Sequence, residues 1–417
     1  MGVVARYCSY PPLQKGGQGG FSGRKSAKTK SPPTPLLPRG ESHAVPQLYL
    51  VAWFFLGSLL ALLLTACDSK EPLYLEQRYV FGTLVEVSAY GENETHAKQA
   101  VTSVMEEFQR LHNQLHAWQT SELSELNAAF ARSEAKEISP ELAAILQDAA
   151  QLSVQSDELF NPAIGGMVKL WGFHADEFKP ALPDEKQLAA LVAAHPQMAD
   201  LTLSPSSTRP LVLSAVEGSG QTKPSPQGGG GVARSKNKFV QLDLGGYAKG
   251  YALDRAAALL KQNGIANALI NIGGNVLALG THGSRNWRVG IQHPRKPGAL
   301  ATIELHDGEA IGTSGDYQRY FELGGMRYCH VIDPRTGRPV QGVQAVTVLT
   351  RGPFAGVLSD AASKPLFISG EQGWRNAAQK MNLTEALLID ASGTVHLTAA
   401  MQKRLEFTDQ KTIRKIE

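Results

Sequence analysis

Leu242-Asp243-Leu244-Gly245-Gly246-Tyr247-Ala248-Lys249-Gly250-Tyr251-Ala252-Leu253-Asp254 is the most informative stretch of the chain. Its first half reads as a strand that ends in a glycine pair, where backbone can come close to a ligand. Its second half reads as the opening of a helix. The first-turn amides of that helix, together with Lys249, are placed to face an anion such as a diphosphate. A tight strand-to-helix turn also needs glycines, so both readings stand at this point. Gly273-Gly274-Asn275 poses the same choice and reads first as a structural turn.

Outward from this stretch, the helix runs to Asn263 and is ended by Gly264, the usual residue just past a helix C-terminus. Ala268–Ile272 and Val346–Leu349 are short apolar strands, and Arg78–Tyr90 alternates with β-branched residues as one strand. Glu94–Leu115 carries Ala97, Val101, Val104, Phe108, Leu111 and Leu115 at helical spacing. Pro140 opens a further helix through Leu152, with Glu141 in its first turn. Strands and helices mix without a regular βαβ beat, which gives an α+β fold in one large domain.

The chain has 417 residues, 42% of them hydrophobic, and a formal net charge of +3 from nearly balanced acids and bases. Lys and Arg form no sustained run, which speaks against nucleic-acid binding. Three cysteines, Cys8, Cys67 and Cys329, form no CxxC pair and no ligand-spaced cluster, so neither a zinc site nor a disulfide framework is expected. Cys329 reads as a small half-buried strand residue.

Leu48–Thr65 is almost wholly apolar and closes with Leu64-Thr65-Ala66-Cys67-Asp68. The small residue followed by cysteine resembles a bacterial lipobox, which implies a thioether-linked lipid on Cys67 and cleavage before it. The bulk of the chain is then expected on the periplasmic side of the inner membrane, held by that anchor. Residues 1–47 are rich in Gly, Pro, Ser and Lys and are expected to be disordered, with the start assigned too far upstream. Residues 204–238 read as a second low-complexity block, inserted and solvated. The expected organisation is a signal segment 48–67, a linker 68–75, a domain 76–408 interrupted by 204–238, and a tail 409–417.

A further chemistry-bearing segment is Thr313-Ser314-Gly315-Asp316-Tyr317, followed by His330-Val331-Ile332-Asp333-Pro334-Arg335-Thr336-Gly337-Arg338-Pro339. His, Asp, Arg and Thr crowded around Pro and Gly indicate a loop shaped for chemistry, with His330 and Asp333 as catalytic candidates.

Together these segments closely resemble the ApbE family of FAD:protein FMN transferases. The resemblance extends to Phe81-Gly82-Thr83, Ser121-Glu122-Leu123-Ser124-Glu125-Leu126-Asn127, Phe160-Asn161-Pro162, Leu170-Trp171-Gly172-Phe173 and Ser359-Asp360-Ala361, and covers roughly residues 76–408. It implies an enzyme that binds FAD and Mg²⁺, cleaves the pyrophosphate, places FMN on a threonine of a target flavoprotein and releases AMP. Respiratory redox subunits are the usual acceptors. By the same resemblance, Asp243, Lys249 and Ile332 would line the FAD site, with Phe81, Trp118, Leu159, Phe160 and Asn161 around the rest of the dinucleotide. The Gly246 carbonyl and the Asp360 carboxylate would hold the metal, and His330 would activate the acceptor hydroxyl.

Two departures stand out. Asn161 replaces the family's usual Asp. Lys364 stands where the family has a metal-ligating Thr, beside Ser363 and before Pro365, which is expected to strain a continuing helix. An ammonium there offers no lone pair, so three readings remain besides the transferase with weakened Mg²⁺ binding. These are Ser363 filling the coordination shell, a FAD pyrophosphatase, and a non-catalytic flavin-binding lipoprotein. A nicotinamide dehydrogenase is the weakest reading, since no GxGxxG follows a strand.

Overall fold

The computed structural model describes residues 72–175, 177, 179–205 and 230–417. Its centre is a nine-stranded sheet. In spatial order the strands are Leu73–Val80, Thr83–Tyr90, Ala268–Ile272, Asn275–Leu279, Ala310–Gly315, Val343–Thr350, Glu385–Asp390, Val395–Leu397 and Arg414–Ile416. Each step is antiparallel except the last, which is parallel.

Side-chain alternation divides the core between the two faces of this sheet. Leu277, Leu279, Ala310, Val346, Val348, Ala386 and Leu388 face the helices Glu94–Leu115, Ala248–Gln262 and Ala355–Lys380. Their neighbours Val276, Ala278, Ile311, Ala345, Leu349, Leu387 and Ile389 face a small sheet carrying Trp287, Ile291, Leu300 and Ile303. Val343–Thr350 is buried at every position because both faces are covered. A third cluster of Met167, Trp171, Phe173, Leu188, Phe321 and Ile332 builds a separate lobe of helix and hairpin. The α+β expectation holds.

Several boundaries differ from the sequence reading. Arg78–Tyr90 is not one strand but parts of two, folded at Phe81-Gly82, whose φ angles of 57° and 68° make the tight two-residue turn of a hairpin. The β-branched alternation runs through both arms and hides that turn. Leu73–Leu75 lies in the edge strand, inside the expected linker, and Arg414–Ile416 pairs with Val395–Leu397, inside the expected tail. The second low-complexity block is narrower than expected. Gly231–Ser235 is the middle strand of a three-stranded sheet, between Lys136–Ile138 and Leu201–Pro205. Residues 206–229 lie outside the described residues, as do 1–71 with the apolar run and Cys67. Among the described residues, no helix is long and apolar enough to cross a membrane.

Pro365 does not end its helix. Ala355–Lys380 continues through it and breaks instead at Gly370, whose φ of 66° and ψ of −173° suit glycine.

Candidate functional site

The stretch before the glycine pair is extended backbone, held mainly by loops rather than by a sheet. Gln241 makes a single bridge to Ile164, and the Asp243 N–H reaches the Pro162 carbonyl at 2.8 Å. The Asn127 amide clamps Leu242 from both sides, donating to its carbonyl at 2.9 Å and accepting its N–H at 2.7 Å. Asp243 Oδ1 takes the Gly245 N–H at 2.8 Å and so shapes the turn itself. Burial raises the Asp243 pKa, against the pull of that N–H and of Arg319, Lys249 and His116. Gly273 and Gly274, at φ 59° and 94°, form an ordinary hairpin turn.

The helix Ala248–Gln262 then crosses the helix Ala355–Lys380 at glycine contact. A Cβ on Gly250 would stand 2.3 Å from the Gly356 carbonyl, and one on Gly356 would stand 2.5 Å from the Gly250 carbonyl. Asp254 caps the second helix from the first, accepting the Gly356 and Val357 N–H groups at 2.8 Å each. On the opposite side, Gly312 admits the Ser359 carbonyl, which a Cβ would meet at 2.3 Å. This packing brings the wholly buried Asp360 to the start of the first helix, where its Oδ2 accepts the Gly250 N–H at 3.0 Å.

Two ammonium groups share the other oxygen of Asp360. Lys249 Nζ lies 3.5 Å from Oδ1 and donates to the Gly245 carbonyl at 3.0 Å. Lys364 Nζ bonds Oδ1 and also donates to the Asp360 carbonyl at 2.6 Å. Its alkyl stem crosses Gly246, where a Cβ would meet Cε at 3.2 Å and the Phe160 ring at 3.6 Å. Burial opposes ionisation of Asp360, but Lys249 and Lys364 outweigh it and hold the carboxyl far below the usual range. Burial pulls the Lys364 pKa down to about 8 although Asp360 supports the charge.

These contacts decide how far a divalent cation fits. Asp360 Oδ1 is engaged by Lys364, and Gly246 lies under the lysine stem. Ser363 does not fill the gap: its hydroxyl is wholly buried, paired with Ser314 Oγ at 2.8 Å and with the Asp360 carbonyl at 2.8 Å. A divalent ion 4 Å from an ammonium is opposed by about 8 kcal/mol at an effective dielectric near 20, twice the unit-charge value. Asp360 offers attraction of the same order, which the two lysines already use.

The His330 loop comes to this place from the third cluster. His330 Nδ1 faces the Arg319 carbonyl at 3.2 Å, an acceptor that requires the proton on Nδ1 and leaves the lone pair on Nε2. Burial, then the charges of Arg319, Lys249 and Lys364, push its pKa down to about 3, so the ring is neutral. Arg319 donates to the Phe173 and Ala175 carbonyls at 3.0 Å each and so holds the loop beside it.

The other expected residues divide. Phe81 packs edge-on against Phe108 and His112, and Trp118 edge-on against His174. Leu159 is half-buried against the main core, and Phe160 lies within it. Three more have side chains engaged within the protein. Asp333, expected as a catalytic candidate, has its carboxylate held by Arg335 at 2.9 and 2.8 Å and shapes a hairpin turn. Ile332 packs its side chain into the third cluster. Asn161 is a structural residue: its amide donates to the Pro196 carbonyl at 2.9 Å and accepts the Ala163 N–H at 3.0 Å.

Sequence reasoning missed Arg319, His116 and His174. His116 Nδ1 accepts the Trp118 and Gln119 N–H groups at 3.1 and 2.9 Å and fixes the turn that presents the indole. His174 Nδ1 is buried and has no hydrogen-bond partner among the described residues, beside that same indole. Their one sequence signal was closeness to quoted motifs.

Glycine turn, Asp360, paired lysines and a neutral histidine thus share one place. A family model described as ApbE matches residues 81–388. The chain belongs to the ApbE family. It is 42% identical over 350 residues to a FAD:protein FMN transferase of Rhodobacter capsulatus, covering 84% of this chain but 62% of that protein. A FAD:protein FMN transferase of Haemophilus influenzae is 27% identical over 361 residues, covering 84% of this chain and 96% of its own. Among solved structures, the ApbE protein of Thermotoga maritima superposes with a TM-score of 0.67 at 24% identity, covering 80% of this chain and 99% of that one. The flavin transferase ApbE of Vibrio cholerae gives 0.64 at 24%, with the same coverage. These two likenesses establish the ApbE fold for this chain.

Proposed function

We propose that this ApbE-family protein transfers FMN from FAD to a hydroxyl side chain of a target flavoprotein. The observation that carries the reading is the convergence of Lys249, Lys364 and the first turn of the Ala248–Gln262 helix beside a neutral His330. Cations and helix amides suit a diphosphate. A neutral imidazole with its lone pair on Nε2 suits a base. The names of the relatives point the same way.

In the reaction, the acceptor oxygen, a threonine hydroxyl by the family resemblance, forms a bond to the phosphorus of the FMN half. The bond from that phosphorus to the bridging oxygen breaks, and AMP leaves with the electron pair. The hydroxyl proton passes to His330 Nε2. With FAD bound, the phosphate charges offset Arg319, Lys249 and Lys364, which raises the His330 pKa toward a working value. Trp118 and Phe81 are the aromatic groups on hand to pack against the flat rings.

The Mg²⁺ that the resemblance implies finds an incomplete ligand set here. Asp360 and the Gly246 carbonyl remain, but a donor-only ammonium takes the third place. No step above depends on the metal. We place the protein on the periplasmic face of the inner membrane, anchored by lipid at Cys67; the apolar run and lipobox support this. Replacing Cys67 by Ser should release or misprocess it, and unchanged membrane retention and mature mass would reject the anchor. A respiratory redox subunit with an exposed threonine is the acceptor class the family resemblance favours.

The test is incubation with FAD and a candidate acceptor, followed by in-gel flavin fluorescence and assay of AMP. Fluorescent acceptor with stoichiometric AMP supports transfer. AMP with free FMN and no labelled protein would make the protein a hydrolase instead.

A further inference from the structure

The glycine turn ends in an arrangement that the usual reading of such a site does not explain. A buried carboxylate, Asp360, carries two ammonium groups on one oxygen, and the second of them sits in the place where the family resemblance puts a metal. Lys364 is held there by geometry. It is one helical turn after Asp360 and bonds both that residue's carboxylate and its carbonyl. Its stem needs Gly246 bare, because any Cβ there would press on Cε at 3.2 Å. An ammonium has three N–H groups, and two are accounted for by Asp360. The third is available for a phosphate oxygen. Lys249, 3.5 Å from the same carboxylate oxygen, supplies a second positive charge, so the two lysines and Asp360 together leave one net positive charge facing the turn.

We infer that Lys364 is a built-in cation for the diphosphate of the dinucleotide, so that this chain binds FAD without a divalent metal. The inference rests on the flavin reading above and adds to it how the phosphates are held. Lys364 exchanges no atoms in the reaction; it neutralises charge on the phosphate oxygens as the bridging bond breaks. Asp360 then serves to fix the two lysines rather than to ligate an ion. That role accounts for its remaining oxygen being spent on the Gly250 N–H at 3.0 Å.

The full chain and its Lys364→Thr variant would be titrated with FAD, following flavin fluorescence polarisation, once in EDTA and once in millimolar Mg²⁺. Mg²⁺ binding to each protein alone would be measured by calorimetry. The expected result is equal FAD affinity of the wild type in both buffers and no Mg²⁺ heat. Lys364→Thr should lose about 10–100-fold in EDTA, the scale of a charge-assisted hydrogen bond, and should recover in Mg²⁺. Lys364→Arg, which keeps the charge, should remain metal-independent, and thermal melting of each variant separates lost binding from lost folding. A wild type that binds FAD only with Mg²⁺ would overturn the built-in cation and leave the flavin reading standing. So would a folded Lys364→Thr with undiminished affinity in EDTA. A wild type that binds no FAD in either buffer would overturn both.

Discussion

Gly250→Ala tests the packing that assembles the site. The new Cβ would lie 2.3 Å from the Gly356 carbonyl oxygen and 2.7 Å from Val357 Cα. A close carbon–oxygen contact needs about 3.3 Å, so the two helices must part by roughly 1 Å. Overpacking of this kind costs about 1–3 kcal/mol. The shift also loosens the Gly250 N–H to Asp360 Oδ2 bond of 3.0 Å, a bond to a buried charge, worth about 1.5–3 kcal/mol. Against this, alanine is favoured over glycine inside a helix by about 1 kcal/mol. Taken together, a net loss of about 1.5–5 kcal/mol is expected. Urea unfolding followed by circular dichroism should show a lower midpoint with unchanged slope, and FAD affinity should fall because Asp360 and its lysines move with the helix. Gly356→Ala should behave alike, and the double variant should cost less than the two single costs added, since one separation relieves both clashes. An unchanged or higher midpoint for Gly250→Ala would mean that helix propensity outweighs the contact, and the packing argument would fail.

Three further outcomes are expected. His330→Ala should spare FAD binding and slow flavin transfer by about 10²–10⁴-fold, the usual share of a general base; an unaffected single-turnover rate would remove His330 from the chemistry. Because Pro205 and Gly231 are paired across a sheet, residues 207–228 should be replaceable by a two-residue turn with native FAD affinity and melting temperature; a shortened chain that fails to fold would show that the segment belongs to the domain. Stability should also depend on pH through the clasp on the final strand, where His396 meets Asp390 at 3.0 Å and Glu417 at 2.8 Å. Burial lowers the His396 pKa, but Glu417 and Asp390 outweigh it and raise it above 6.5, so its contribution is full below that value and lost as pH rises through the folded value. Burial raises Asp390, but the Ser392 hydroxyl and His396 outweigh it and lower it from 3.8 to about 2, so that contribution is lost as pH falls toward 2. Melting temperature should therefore hold best between about pH 4 and 6.5, and His396→Asn should flatten the alkaline side; parallel profiles for the two proteins would count against the clasp.

Local patterns in the chain are enough to define most of the elements. Apolar residues at helical spacing from Ala97 to Leu115 give a helix whose buried face contains that whole set together with Ala100 and Met105, and Gly264, at φ 75°, stops the helix Ala248–Gln262 where expected. Period and turn chemistry act between near neighbours, so they can be read without knowing the fold. The Lys364 to Asp360 contact is legible for the same reason, as a pair four residues apart on one helix. Where local patterns agree with two structures, the sequence alone is silent. The alternation from Arg78 to Tyr90 fits one long strand as well as a hairpin, and the final residues carry too weak a pattern to announce a strand that pairs with Val395–Leu397. The site is decided almost wholly by tertiary structure. Gly250 and Asp360 lie 110 positions apart, and they meet because two glycine-lined helices and Gly312 pack without side chains between them. That packing also spends the Ser363 hydroxyl on Ser314, while Asn161 is taken by the Pro196 and Ala163 backbone and Asp333 by Arg335, although each looked chemically available in the sequence. Which polar groups face a ligand depends on which others have already satisfied them, and that is a property of the packed interior rather than of any segment.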